Sequence, residues 1–172
     1  MDAIETMLTR MSVKKYKDDP VPKELIDKVI EAGLHAPSGL NKQAPIILAV
    51  TNKQVRDALS KTNAGKDPFF RSDPFYNAPV VLVVLADKSV PTYVYDGALA
   101  MENMLLAAHA LGLGACWIHR AKETFEQQEW KDFLKEQGIE GEYEGIGNCI
   151  LGYADMQPQK KPRKETRVYY IE

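Results

Sequence analysis

The sequence predicts a layered domain of helices and strands, of the α/β or α+β class. Strand-like apolar runs alternate with helical ones along the chain, a pattern typical of such layered domains. The run Pro79–Leu85 (PVVLVVL) contains no polar residue, which indicates a strand covered on both faces. A chain of 172 residues fits one domain, so we expect residues 1–172 to form a single domain. The connections between strands are long enough for parallel pairing, and the strand order stays open.

The first part of the chain predicts three helices and one strand. Apolar residues at helical spacing indicate helices over Asp2–Thr9 and from Pro22 to His35. Pro22 suits the first position of a helix because its fixed φ is already helical and it has no N–H to leave unpaired. The apolar run Ile46–Val50 predicts a strand, and a third helical pattern starts near Val55.

The stretch Thr62–Asn77 predicts a long loop, because glycine and proline are interspersed among its aromatic residues. Loops of this length without regular structure are often functional. We expect its aromatic side chains to line a substrate pocket, and the alternative is a buried hydrophobic cluster beneath the loop. The four candidates are Phe69, Phe70, Phe75 and Tyr76.

The stretch Asp96–Leu111 predicts a helix that is apolar around nearly its whole circumference, ended by Gly112 and Gly114. Such a helix must be buried on all sides. Burial on all sides is difficult in a chain this short unless a partner subunit covers part of the helix. We therefore expect an obligate homodimer.

The last third of the chain predicts two more strands and one more helix. The strands are expected over Ala115–Ile118 and Gly147–Tyr153, with an exposed amphipathic helix from Phe125 to Gly138 between them. A basic, proline-broken loop follows, and Val168–Ile171 (VYYI) has the composition of a strand.

Composition argues against several classes of protein. The 22 basic and 24 acidic residues leave a net charge of −2, whereas proteins that bind nucleic acid or membrane surfaces usually carry a basic surplus. The longest apolar run, Ala78–Ala86, is far shorter than the ~20 residues that span a bilayer. The opening MDAIETMLTR has no apolar core of a signal peptide, so a cytoplasmic protein is expected.

The familiar catalytic and nucleotide-binding motifs are missing from the sequence. There is no GxxxxGK[ST], no GxGxxG between a strand and a helix, no HExxH and no GxSxG. The three histidines lack the spacing of a metal site. Cys116 and Cys149 form no CxxC pair, so we expect buried, unreactive thiols rather than a disulfide framework.

Polar clusters remain as candidates for a binding site. Arg10, Ser12 and Lys14 alternate, so in an extended segment they share one face and suit a phosphate. The segment Ala36–Pro45 offers amide side chains two residues apart, which suit the edge of a heterocycle. Near the C-terminus, Lys161-Pro162-Arg163 adds two cations. Each cluster alone has an ordinary alternative, a solvated charged edge or a polar turn.

Together these residues resemble the nitroreductase family of flavin enzymes. Arg10-x-Ser12-x-Lys14 is similar to its R-x-S-x-[RK] motif, and the segment from Pro37 to Gln43 is similar to A-P-S-x-x-N-x-Q-P-W. The sequence GLGACWI at 112–118 resembles G-L-G-x-x-W, and the tail cations resemble a terminal phosphate clamp. The resemblance implies an α+β fold with a central sheet flanked by helices, in an interlocked homodimer that binds FMN. It also implies reduction of nitroaromatics or quinones with NADH or NADPH.

The resemblance also implies roles for single residues. Arg10, Ser12, Lys161 and Arg163 would hold the FMN phosphate, and Lys14 would lie near the pyrimidine edge of the flavin. The residues from the amide-rich segment would come from the other subunit and contact the flavin ring: Pro37, Ser38, Asn41 and Gln43. Ile118 would cover one flavin face, with the backbone N–H of His119 or Arg120 near N5.

The sequence departs from the family pattern in three places. Ala44-Pro45 replaces the usual Pro-Trp, Arg71 and Pro74 stand where longer members carry an asparagine and a lysine, and the chain is short. Other functions therefore stay open. They are a flavin-binding module for storage or sensing, a reductive dehalogenase on the same fold, and an interaction domain without cofactor.

Overall fold

The structure, a computed structural model, describes residues 2–65 and 73–172. Within these ranges the chain forms helices, one 3-10 turn and four strands. In chain order they are α1 (Ala3–Thr9), α2 (Lys23–Leu34), the turn Gly39–Asn41, β1 (Pro45–Val50), α3 (Lys53–Ala64), β2 (Val80–Asp87), α4 (Tyr93–Ala110), β3 (Gly114–Ile118), α5 (Ala121–Phe125), α6 (Gln128–Glu136) and β4 (Tyr143–Gly152).

The four strands form one sheet in the order β1-β2-β4-β3, and all three pairings are antiparallel. The expected α+β fold is confirmed, since helices flank a sheet in which every neighbouring pair of strands is antiparallel. The connections would have permitted parallel pairing, yet none occurs between these strands. The chain reverses direction between β1 and β2 and between β3 and β4, whereas β2 and β3, which α4 connects, run in the same direction on either side of β4.

Strand β2 is buried on both faces, as its apolar run predicts. Leu82 and Val84 point towards α2 and α4, where they pack with Met101 and Met104. The alternate residues of β2 point towards α3, α5 and α6 and pack with a second set of buried side chains that includes Leu59, Phe75 and Trp130. The period-two alternation of a strand therefore divides the core into two layers.

A bulge in β4 shapes the layer beneath α4. Gly147 pairs with Val84 and Gly145 pairs with Leu85, so Ile146 is an extra residue between them. A Cβ atom on Gly97 of α4 would lie 2.6 Å from the Ile146 side chain. Because glycine has no Cβ, α4 can approach the sheet closely at this point.

The segment after α1 lies along the edge of the sheet in an extended conformation. The N–H of Val13 donates to the Ala115 carbonyl at 3.0 Å, and the N–H of Lys17 donates to the Tyr153 carbonyl at 2.9 Å. Val13 is buried, whereas Ser12 and Lys14 on either side of it are more accessible to solvent. The predicted alternation is therefore seen from Ser12 to Lys14, whereas Arg10 ends helix α1.

Two predictions for the last third of the chain are wrong. The expected single exposed helix is divided into α5 and α6, because Gln127 has extended backbone angles. Phe125 and Trp130 on the two helices pack against each other and are buried. The segment Val168–Ile171 forms no strand, and its side chains are exposed rather than paired with the sheet.

The predicted apolar stripe of α1 faces outwards in the chain. Ile4, Met7 and Leu8 are all more than half exposed, and Thr6 is the buried residue of this helix. Helix α4 is covered by the sheet and α2, but Tyr95 and Leu99 are exposed at 73% and 44%. No helix within the described ranges has the length and apolarity needed to cross a membrane.

Candidate functional site

Arg10 has a hydrogen-bond donor that is buried but unused. Its side chain is 23% exposed, and its Nε lies 4.0 Å from Oε1 of Glu102 on α4. The Nη1 atom is buried and makes no hydrogen bond with any described residue. A buried N–H without an acceptor is costly, so the arrangement fits an anionic acceptor beside Arg10, such as a phosphate oxygen.

Ser12 and Lys14 extend the same polar edge. Lys14 is exposed, and its backbone N–H donates to Sδ of Met156 at 3.3 Å. Nζ of Lys14 lies 5.7 Å from the centre of the Tyr76 ring, within the range of a cation–π interaction. Arg10, Ser12 and Lys14 together offer two cations and a hydroxyl, a donor set that suits a phosphate and an adjoining group rich in electrons.

The amide-rich loop, Pro37–Gln43, is closed by its own hydrogen bonds. The N–H of Gln43 donates to Ser38 Oγ at 3.0 Å, and Gln43 Nε2 donates to Asn41 Oδ1 at 3.2 Å. Asn41 and Gln43 both have positive φ values and both are exposed. Their remaining amide groups, Asn41 Nδ2 and Gln43 Oε1, have no partner among the described residues and are available to a ligand.

Asp96, which sequence reasoning missed, anchors the amide-rich loop to α4. Its Oδ1 accepts the N–H of Gly39 at 3.0 Å, and its Oδ2 accepts the hydroxyl of Thr92 at 2.9 Å. The residue is 3% exposed although it lies in the helix that the sequence shows as apolar. An acid at the start of an apolar helix is the signal that could have identified it, because a buried charge needs partners.

Two buried asparagines fix the end of β3. Asn63 on α3 donates to the His119 carbonyl at 2.9 Å, and Asn148 on β4 donates to the Ile118 carbonyl at 3.3 Å. Arg120 follows with φ of 73°, and its Nη1 donates to the Ala64 carbonyl. Ile118 is half-buried and His119 is exposed. The backbone predicted to face the flavin is therefore rigidly held from two elements.

The tail cations make no hydrogen bond to Arg10 within the described ranges. Lys161 and Arg163 are exposed, and neither makes a hydrogen bond or ion pair with another described residue. Likewise, no hydrogen bond within the described ranges joins the amide-rich loop to Arg10, Ser12 or Lys14. The structure of one chain thus holds the predicted groups as separate clusters.

The structure describes two of the four aromatic candidates. Phe69 and Phe70 lie outside the described residues. Phe75 is 0% exposed and packs in the core, so the alternative of a buried cluster replaces the pocket-lining role expected for it. Tyr76 is half-buried and reaches Lys14.

A charge cluster fixes the backbone that carries these two aromatic residues. Asp73 accepts hydrogen bonds from Arg56 Nη2, from the Ser60 hydroxyl, and from the N–H groups of Phe75 and Asn77. Burial alone would raise the pKa of Asp73, but these hydrogen bonds favour the carboxylate and lower its pKa overall.

Neither cysteine is arranged for chemistry. Both are buried and free. Burial, with the nearby Cys116, raises the pKa of the Cys149 thiol to about 12, so it stays protonated and unreactive at neutral pH. No group of metal-ligating side chains occurs within the described ranges.

Comparison with known proteins identifies the family. The family model described as Nitroreductase family matches residues 7–153. The chain belongs to the nitroreductase family. The resemblance drawn from the motifs is confirmed, and the matched range includes the cation cluster, the amide-rich loop and the end of β3.

Individual relatives support this family membership. A protein of Methanothermobacter thermautotrophicus, provisionally named NADH dehydrogenase/NAD(P)H nitroreductase, is 36% identical over 121 residues, which are 68% of this chain and 60% of that protein. The NADPH-flavin oxidoreductase of Vibrio harveyi is 29% identical over 178 residues, which are 97% of this chain and 72% of that protein. The chain therefore spans only part of the length of these relatives.

A solved structure shares the whole fold. The crystal structure of a nitroreductase with bound FMN from Bacteroides fragilis matches with a TM-score of 0.90 and 26% identity, covering 100% of both chains. The likeness therefore extends over the full length of both chains, including the sheet and the helices around it.

We predict that the Asp96 anchor stabilises the amide-rich loop. In Asp96→Ala the N–H of Gly39 loses its acceptor, so the free energy of unfolding should fall by about 1–3 kcal/mol. Amide hydrogen exchange should accelerate over residues 39–43. Asp27→Ala is the matched control, since it removes only the exposed pair with Lys23 and should change stability by at most ~0.5 kcal/mol. Equal exchange rates in both variants would contradict the anchor.

We also predict a pH-dependent contribution from Asp73. A lowered pKa means that its stabilisation is complete above the unfolded-state pKa of ~3.9 and is lost as the pH falls through the lower folded value. Urea denaturation should therefore show a difference in unfolding free energy between the wild type and Asp73→Ala that shrinks below about pH 4. A difference that stays constant from neutral pH to pH 3 would show that its charge contributes nothing.

Proposed function

We propose that this protein is an FMN-dependent oxidoreductase. It takes a hydride from NADH or NADPH and reduces nitroaromatic or quinone-type acceptors by a ping-pong mechanism. The observation that carries the proposal is the buried Nη1 of Arg10, which has no acceptor among the described residues and lies two residues before Ser12 in the chain. The names of the relatives, an NADPH-flavin oxidoreductase and a nitroreductase with bound FMN, support it.

The phosphate of FMN would be held by the cations of the polar edge. Arg10 would donate its free N–H to a phosphate oxygen, with Ser12 as a second donor. Lys161 and Arg163 would complete the clamp once the exposed tail folds onto a protein surface. Such a site accepts a phosphate monoester, which is the terminal group of FMN but not of FAD.

The flavin ring would lie between the remaining clusters. Lys14 would contact the N1 and O2 edge, and Ile118 would cover one face. The N–H of His119 or Arg120 would point towards N5, since Asn63 and Asn148 fix that backbone. The amide-rich loop of a second copy would supply Pro37, Ser38, Asn41 and Gln43 to the ring.

Bound FMN supplies the chemistry, because it accepts a hydride and passes two electrons to an acceptor. The chain itself binds the phosphate, orients the ring and places Lys14 where negative charge develops. No side chain has to transfer a proton. One open face must serve the nicotinamide and the acceptor in turn, which is the reason for ping-pong kinetics.

Two copies of the chain would form the working unit. The exposed apolar surface, defined as Ile4, Met7 and Leu8 of α1 with Tyr95 and Leu99 of α4, is unusually apolar for a free surface. The contact between Thr9 and His109 and the contact between Arg10 and Glu102 hold α1 against α4. A second copy would cover this surface and would bring its amide-rich loop to the polar edge.

The visible spectrum of the purified protein tests the function. We expect a yellow protein that releases FMN on heating, is bleached anaerobically by NADH or NADPH, and recovers its colour on addition of a quinone or nitroaromatic. Arg10→Ala should weaken FMN binding by about 10- to 100-fold, because a hydrogen bond to a charged group contributes roughly 1.5–3 kcal/mol.

Lys28→Ala, which removes an exposed cation of α2, is the control for Arg10→Ala and should leave FMN binding unchanged. Flavin that is bound but not bleached by either nicotinamide would favour a storage or sensing module. Absence of FMN after reconstitution, or recovery of FAD, would overturn the proposal.

Sedimentation tests whether two copies of the chain assemble into a dimer. The wild type should sediment as a dimer at low micromolar concentration. Leu8→Glu places a charge in the exposed apolar surface and should shift the protein towards monomer, with loss of bound flavin. Glu136→Gln on α6, an exposed position away from this surface, is the control. A flavin-loaded monomer of the wild type would contradict the dimer.

A further inference from the structure

Tyr76 makes a contact that the proposed function does not use. Nζ of Lys14 lies 5.7 Å from the centre of the Tyr76 ring. The lysine side chain is exposed, and no carboxylate forms an ion pair with it within the described ranges. Aromatic ring faces attract cations. The ring of Tyr76 therefore favours one position of the flexible Lys14 ammonium over the others.

The backbone of Tyr76 is held in a costly conformation. Tyr76 and Asn77 have φ values of 52° and 58°, in the left-handed region that non-glycine residues rarely adopt. Asp73 compensates this cost, since it accepts the N–H groups on either side of Tyr76, those of Phe75 and Asn77, at 2.9 Å and 2.6 Å. Strained backbone persists only when its surroundings fix it.

Three contacts of Arg56 fix the same segment. Arg56 binds the Asp73 carboxylate, and its Nε donates to the Ala78 carbonyl at 3.1 Å. The guanidinium group also lies 5.6 Å from the ring centre of Phe75, which is fully buried. The ring of Tyr76 is thus attached to a rigid base, whereas Lys14 alone would be a mobile surface side chain.

We propose that Tyr76 is a positioning residue that holds the Lys14 ammonium at the cofactor edge. The inference rests on the proposed function, in which Lys14 faces the N1 and O2 edge of FMN. A cation that is already in place when charge develops stabilises that charge without reorganisation. Loss of the ring would let Lys14 move into solvent, so the cofactor would become harder to reduce.

A double-mutant cycle on the flavin midpoint potential tests the proposal. Lys14→Met should weaken binding of the reduced form relative to the oxidised form by about 10- to 100-fold, which converts to a midpoint lower by about 30–60 mV. Tyr76→Asn removes the ring, and asparagine tolerates a positive φ. It should produce a change of about two- to fivefold in the same direction, or about 10–20 mV.

The control variants separate positioning from packing. Tyr76→Phe keeps the ring face and should have the midpoint of the wild type. In the Lys14→Met background, Tyr76→Asn should have no further effect, because its influence acts through the lysine. Tyr76→Leu provides a second variant without the ring in case the asparagine protein does not fold.

Each outcome bears on the proposal. An unchanged midpoint in flavin-loaded Tyr76→Asn or Tyr76→Leu would overturn it, and so would an equal shift in the Lys14→Met background, which would indicate a structural role. A raised midpoint would overturn it too, because the ring would then withhold the lysine from the cofactor. If the wild type binds FMN and is reduced, these results overturn the positioning role alone. If the wild type binds no FMN, the proposed function and the positioning role both fail.

Discussion

Helix α4 connects the core of this protein to the amide-rich loop and to Arg10. It packs on the central strands through Met101 and Met104, and Gly97 allows its N-terminal half to approach the bulge at Ile146. From this fixed position Asp96 binds the amide-rich loop, and Glu102 lies beside Arg10. The two acids are six residues apart, or about 9 Å along the helix axis. One helix thus contacts both the amide-rich loop and Arg10.

The polar residues of the site divide into two kinds. Asp96, Asn63 and Asp73 are bonded to protein partners, so they hold backbone in place. Lys14 and the free N–H of Arg10 have capacity left over, which a ligand can use. Rigid anchors behind groups with spare donors are the arrangement expected of a binding site, because the anchors reduce the entropy lost when a ligand binds.

The strands and the side chains with unused hydrogen-bond donors could be predicted from the sequence. The side chains that hold the backbone in place, such as Asp96 and Asn63, could not. Strand β2 was evident because its apolar run has one physical explanation, burial on both faces. The alternation around Val13 was evident because a strand repeats every two residues. By contrast, the antiparallel order of the sheet depends on which strands meet, and the connections alone do not specify this. The division between α5 and α6 depends on the backbone of one residue, Gln127.

The anchors were missed because their partners are distant in the sequence. Asp96 binds a backbone N–H that is 57 residues away, and Asn63 binds a carbonyl that is 56 residues away. A side chain that binds a distant backbone group leaves no motif, since the partner can be any residue type. A sequence motif arises where several residues bind the same ligand, whereas a side chain that holds a distant backbone group depends only on the fold. The binding groups of the proposed site are therefore easier to predict from the sequence than the contacts that hold them in place, and the contact between Tyr76 and Lys14 joins a binding group to a segment held in this way.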